Sequence, residues 1–113
     1  MQIVERTVND VVILDLRGKM TLGEGDELLK DKIASLASQG QRKVVLNMEA
    51  VPYIDPVGLG EVVRTYSTLK NQGGKLKLLN VSKRVFDLLI ITKLHTIFDC
   101  YDQEGEAIRS FAA

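Results

Sequence analysis

Apolar and polar positions follow two different periods along this chain. Near the N-terminus the period is two: Val12, Leu14 and Leu16 share one side of an extended segment, and Ile13, Asp15 and Arg17 share the other. A Val- and Ile-rich stretch over 3–8 precedes it, with Asn9-Asp10 between the two. Both of those residue types tolerate positive φ, which predicts a tight hairpin. Past residue 20 the period lengthens. Leu29, Ile33, Leu36 and Ala37 fall three, four or one apart, the stripe of a helix over about 24–38. Thr21 and Glu24 have the spacing of a capping box at its start, and Gly40 stands where glycine ends helices.

The alternation of strand and helix then continues. Val44-Val45-Leu46 is a continuous apolar run, as expected of a strand buried on both faces. Asp55-Pro56 pairs an N-cap residue with proline at the first helical position. Leu59, Val62, Val63, Tyr66 and Leu69 follow on one helical face, ended by Gly73-Gly74. Leu76, Leu78 and Leu79 predict the next strand. Ser82 caps a helix to about Ile91, with Val85, Leu88 and Leu89 facing inward and Phe86 and Ile90 beside them. Ile97-Phe98 and Cys100-Tyr101 predict a short last strand, and a helix near 103–111 closes the chain through Ala107, Ile108 and Phe111. The order β-β-α-β-α-β-α-β-α predicts an α/β fold. Its sheet of about five strands is mixed but mainly parallel, with about four helices and right-handed crossovers.

The length of 113 residues suits one domain over 1–113. An apolar share of 45% with 27% charged residues argues for a folded soluble chain rather than disorder. Lys+Arg and Asp+Glu are both 15, evenly spread, so no basic stripe invites nucleic acid. A local run of acids, Asp99, Asp102, Glu104 and Glu106, reads as a solvated helix start. One cysteine, Cys100, permits neither an intrachain disulfide nor a cysteine zinc cage. No apolar stretch is long enough to span a membrane and no signal-peptide pattern opens the chain, so direct membrane insertion is not expected and the cytoplasm is. The lone histidine, His95, has no ligand partners at metal spacing, and no nucleophile elbow, Walker loop or dinucleotide fingerprint occurs. Neither metal nor cofactor is expected, and the chain reads as a non-enzyme.

The informative segment is 47–60. It is a strand, a turn and a helix start carrying Gly58 and Gly60 in its first turns. Glycine there costs about 1 kcal/mol against alanine, so it serves something other than propensity. Two accounts are open: close packing of the helix start on a neighbour, or close approach of a ligand or partner to the free N–H groups.

Asp55-Pro56-Val57-Gly58-Leu59-Gly60 resembles the D-S-x-G-L-G signature of STAS domains, the anti-sigma factor antagonists of bacterial partner-switching systems. The resemblance continues through Val44–Asn47 before the signature. Gly73-Gly74-Lys75-Leu76 resembles the approach to the next strand. Val81-Ser82-Lys83-Arg84-Val85, Thr92-Lys93-Leu94 and Ile97-Phe98 resemble the later helix and the step after it. The resemblance implies a STAS-like fold and a non-enzymatic regulator of transcription. Its implied partner is an anti-sigma factor that is also a serine kinase. That kinase would phosphorylate a serine at the start of the helix, and the phosphorylated form would no longer bind. Here the aligned residue is Val57, and Pro56 occupies the preceding position, also serine in many relatives. Neither can accept phosphate, so the usual off-switch is expected to be missing.

The implied partner surface comprises Thr21, Gly23 and Glu24 in the loop after the second strand, Tyr53 just before the signature, and Asp55, Pro56, Val57, Gly58 and Gly60 within it. Glu61, Arg64 and Thr65 join it, placed on the exposed face of the helix because they fall between the apolar positions. Thr21 is open to two roles, N-cap with Glu24 or a partner contact and substitute phosphosite. Val57 is equally open: it packs under the preceding turn, or it points outward as part of an apolar binding patch. The resemblance also allows a STAS adaptor or scaffold bound to a transporter ATPase or to other STAS proteins, and the helix start allows a small-anion sensor.

Overall fold

The computed structural model describes residues 1–112. Asn9 and Asp10, at φ 49° and 66°, make the two-residue turn between β1 (Gln2–Val8) and β2 (Val11–Arg17), with Val8 opposite Val11. Both central residues take positive φ, the conformation whose twist matches a hairpin. From β2 the chain proceeds through α1 (Asp26–Ser38), β3 (Lys43–Ala50), α2 (Pro56–Asn71), β4 (Lys75–Leu79), α3 (Lys83–Ile91), a short 3₁₀ turn (Leu94–Thr96), β5 (Asp99–Tyr101) and α4 (Glu104–Ser110).

The five strands lie side by side in sequence order, β1 antiparallel to β2 and all later pairs parallel. Crossovers of one hand between successive neighbours carry their helices to one face. Val12, Leu14, Leu16, Val44, Leu46, Leu76 and Leu78 meet α1, α2 and α3 there in the main core. The other face buries Val11, Ile13, Val45 and Leu79 under α4, through Ala107. Both faces of β3 are therefore covered, which is why Val44-Val45-Leu46 is a continuous apolar run.

Four expectations are corrected. The first helix starts at Asp26, and its N-cap is Gly25 with no side-chain cap bond, so the Thr21–Glu24 capping box does not form. Instead the Thr21 carbonyl accepts from Glu24 and Gly25 N–H at 3.1 and 3.2 Å, and Asp26 Oδ1 accepts from Gly23 N–H at 2.9 Å. A turn through Gly23, at φ 80°, has displaced the cap. The last strand is Asp99–Tyr101; Ile97 lies outside it and is exposed, while Phe98 is buried against the helix face of the sheet. Phe86 and Ile90 do not flank the core but stand 38% and 45% exposed, because only Val85 and Leu89 of α3 face the sheet squarely. Finally, Glu61 and Thr65 are buried, for a reason that lies in the site itself.

Two of the terminal acids serve the fold. Lys77 Nζ donates to Asp99 Oδ2 at 2.6 Å, and Arg6 bridges Asp15 on β2 and Glu104 on α4. The Arg6 guanidinium holds the Asp15 carboxyl below its usual range, helped by a 2.8 Å bond from Asn47 Nδ2.

Candidate functional site

The segment after β2 and the segment before α2 run together at the carboxyl end of the sheet. Met20 N–H donates to the Tyr53 carbonyl at 3.0 Å and Asp55 N–H to the Met20 carbonyl at 3.2 Å, a parallel bridge between Met20 and Ile54. Both of those side chains are buried, which anchors the two segments in the core.

Asp55 completes the junction. Its Oδ1 accepts Gly58 N–H at 2.7 Å as the N-cap of α2, and its Oδ2 accepts Leu22 N–H at 3.1 Å. One carboxylate thus caps the helix and holds the neighbouring loop. The Gly58 bond, then the Leu22 bond, keep its carboxyl below the usual carboxylate range.

The two glycines have different explanations. A Cβ at Gly58 would stand 1.9 Å from the Met20 carbonyl oxygen, so the helix start rests directly on the Met20 backbone. Close packing, not ligand approach, accounts for that glycine. At Gly60 the nearest atom to such a Cβ is Arg64 Nη1, at 4.0 Å, and the fold does not require a glycine there.

Around this junction lies an exposed apolar surface. Leu22 is 69% exposed, Tyr53 38% and Val57 37%, so Val57 points outward rather than under the turn. The Arg84 guanidinium stands 5.2 Å from the centroid of the Tyr53 ring. Next to it an open cavity of about 310 Å³ is lined by Tyr53, Ile54, Pro56, Leu88 and Ile91.

Of the residues singled out from sequence, Thr21, Gly23, Glu24, Tyr53, Asp55, Pro56 and Val57 lie together at this end, all at least partly exposed. Arg64 is exposed one turn or more along α2. Gly58 and Glu61 are buried and present nothing to a partner. Glu61 lies in the cleft between α2 and α1, near Lys30, Ile33 and Ala34, with Oε2 accepting from Arg64 Nε at 2.6 Å. Thr65 is buried in the same cleft and donates its hydroxyl to the Glu61 carbonyl at 3.0 Å. Helix α2 has two neighbours, the sheet and α1, so the arc it buries is wider than its apolar stripe. Sequence reasoning missed Leu22 and the α3 residues Arg84, Leu88 and Ile91; an unpaired leucine in a polar loop was the only available signal for the first.

A profile of the STAS domain matches residues 2–107. The chain belongs to the STAS domain family. This STAS domain is 35% identical over 96 residues to the anti-sigma-B factor antagonist of Bacillus subtilis, covering 85% of each chain. It superposes with a TM-score of 0.91 on a Thermotoga maritima structure described as a candidate anti-sigma factor antagonist, at 25% identity over 98% of this chain and 95% of that one. With the Bacillus cell-fate determinant SpoIIAA in its phosphorylated form the TM-score is 0.77, at 23% identity over 97% and 99% of the chains, a likeness of fold. Among the described residues of this STAS domain, no helix is long and apolar enough to cross a membrane, and no group of three or more His, Cys, Asp or Glu could hold a metal ion.

Proposed function

We propose that this STAS domain is a non-enzymatic cytoplasmic regulator of bacterial transcription that binds a kinase-type anti-sigma factor and so releases a sigma factor. The observation that carries this reading is the exposed apolar surface of Leu22, Tyr53 and Val57 around the Asp55 junction. It sits in a chain 35% identical to an anti-sigma-B factor antagonist over most of its length. An apolar patch with Thr21, Gly23, Glu24 and Arg84 around it, and Arg64 exposed further along α2, has the make-up of a protein interface rather than of a catalytic cleft. Partner binding would use this end of the sheet, with Pro56 opening α2 and Gly60 partly exposed one turn on.

The same geometry supports a changed regulation. The resemblance aligns Val57 with the family's phosphorylated serine, and a valine side chain has no acceptor oxygen. Phosphorylation at that position cannot release the partner. The test is affinity capture of the tagged chain from its native cytoplasm and membranes, read by mass spectrometry. Recovery of a kinase-type anti-sigma factor supports the reading. Recovery of a transporter ATPase, or of other STAS proteins alone, replaces it with an adaptor or scaffold role.

A further inference from the structure

We infer that Thr21 is a phosphoacceptor of this chain, and that a phosphoryl group there does the work that Val57 cannot. The inference rests on the partner being a protein kinase, as proposed above.

The placement comes from the junction. Thr21 lies between two residues whose backbones are bonded to the signature segment, Met20 to Tyr53 and Asp55, and Leu22 to the Asp55 side chain. Met20 points into the core against Gly58 at the start of α2, and the Thr21–Leu22 peptide stands next to Asp55, whose carboxylate accepts the Leu22 N–H. Thr21 is partly exposed. With Gly25 as the N-cap of α1, the Thr21 hydroxyl caps no helix, and only its carbonyl serves the turn.

The other serine and threonine hydroxyls near this end are engaged or hidden, and the exposed phenol of Tyr53 is no substrate for a serine/threonine kinase. Ser82 Oγ accepts Val85 N–H at 3.2 Å as the cap of α3, and Thr65 is buried and bonded to the Glu61 carbonyl. Thr21 is followed by Leu22, Gly23 and Glu24, all exposed, with Gly23 at positive φ. A protruding turn of this kind can enter a kinase cleft, whereas a residue inside a helix cannot without unwinding it.

The transfer balances with ATP as co-reactant. Thr21 Oγ1 attacks the γ-phosphorus of kinase-bound ATP and a new O–P bond forms. The bond from that phosphorus to the β–γ bridging oxygen breaks, and ADP leaves with the electron pair. The hydroxyl proton passes to a carboxylate base of the kinase. Phosphothreonine adds about −1.5 to −2 charge. Here it would stand beside Asp55 and close to Glu24 and Asp26, with Lys19 as the one base in residues 18–25. Like charges repel, so the phosphate pushes against the Leu22–Asp55 tie and sets charge inside the exposed apolar surface. Both effects weaken partner binding.

The test uses the kinase recovered with the chain, ATP, and intact-mass and peptide mass spectrometry. Wild type is expected to gain one phosphoryl group, mapped to Thr21. Thr21→Val is expected to gain none. Thr21→Val combined with Val57→Ser regains one, which shows that the kinase still docks on the variant. Phosphorylated wild type is expected to bind the kinase at least ~10-fold more weakly than unmodified protein, a charge effect of the size such modifications produce. If wild type stays unmodified, or is modified elsewhere, while the double variant is phosphorylated, Thr21 is not the acceptor and the partner reading survives. If phosphorylation at Thr21 leaves affinity unchanged, the switch is refuted. If the kinase neither binds wild type nor modifies either variant, both readings fall together.

Discussion

Asp55 holds Leu22 across 33 positions of sequence: Leu22 N–H donates to Asp55 Oδ2 at 3.1 Å while the same carboxylate caps α2 at Gly58. The loop after β2 and the start of α2 therefore move as one piece. Replacing Asp55 by alanine removes both acceptors at once. Asp55→Ala is expected to speed hydrogen exchange at the Leu22 and Gly58 amides together and to lower the unfolding midpoint. Asp55→Asn keeps one acceptor oxygen and is expected to protect Gly58 better than Leu22. Equal protection at Leu22 in Asp55→Ala and wild type would show that the loop is held by the Met20 bridge alone.

Gly58 and Gly60 separate packing from propensity within one turn of helix. A Cβ at residue 58 meets the Met20 carbonyl oxygen at 1.9 Å, and backbone cannot yield as a side-chain tip does. Gly58→Ala is expected to destabilise by about 3 kcal/mol, the upper end for overpacking. Gly60→Ala meets nothing closer than 4.0 Å and is expected to stabilise by about 0.5–1 kcal/mol through helix propensity. Urea titration of the two variants reads both signs. A stability for Gly58→Ala within error of wild type would mean that the helix start shifts away from Met20 at little cost.

The same pair shows what the sequence could disclose. Asp55-Pro56 and Ser82 announce helix starts through local chemistry, and both cap as expected, Asp55 to Gly58 and Ser82 to Val85. The order of elements followed from the alternation of periods, and a mainly parallel sheet from the unbroken apolar run of a strand buried on both faces. The failures were non-local. Thr21 and Glu24 satisfy a capping-box spacing, but Gly23 turns the chain and Asp26 takes over the turn N–H instead. Glu61 and Thr65 fall off the apolar stripe of α2 and are buried because α1 lies against that flank. No residue within α2 says on which side α1 will lie. The apolar patch was only half legible, as Val57 sits in the signature and Tyr53 just before it while Leu22 and Ile91 arrive from distant segments.

Acid will test the carboxylates. Asp15 is held below its usual 3.8 first by the hydrogen bond from Arg6, and Asp55 first by the Gly58 N–H. In each case the folded value lies below the unfolded one. Their stabilisation is therefore complete above the unfolded pKa of about 3.9 and is lost as pH falls through the folded values. Stability measured by urea titration is expected to drop below about pH 4. Asp15→Asn should flatten that drop and, by freeing Arg6 from β2, raise hydrogen exchange in α4, which Arg6 also reaches through Glu104. An unchanged acid limb in Asp15→Asn would assign the loss of stability to other groups.

Val57 separates folding from binding most cleanly, because its side chain is 37% exposed at the second position of α2 and an acid there suits the helix dipole. Val57→Asp is expected to leave the melting temperature unchanged or slightly raised. The same change sets a negative charge in the middle of the Leu22–Tyr53 surface, where a partner's apolar groups would have to desolvate it. Affinity for the captured anti-sigma factor is expected to fall by at least ~10-fold, about 1.4 kcal/mol. Lys75→Asp serves as the control, since Lys75 is an exposed residue at the start of β4, at the opposite end of the sheet. If both variants weaken binding equally, the effect is one of net charge. If Lys75→Asp alone weakens it, the partner uses the amino end of the strands, and the junction at Asp55 is a structural device only.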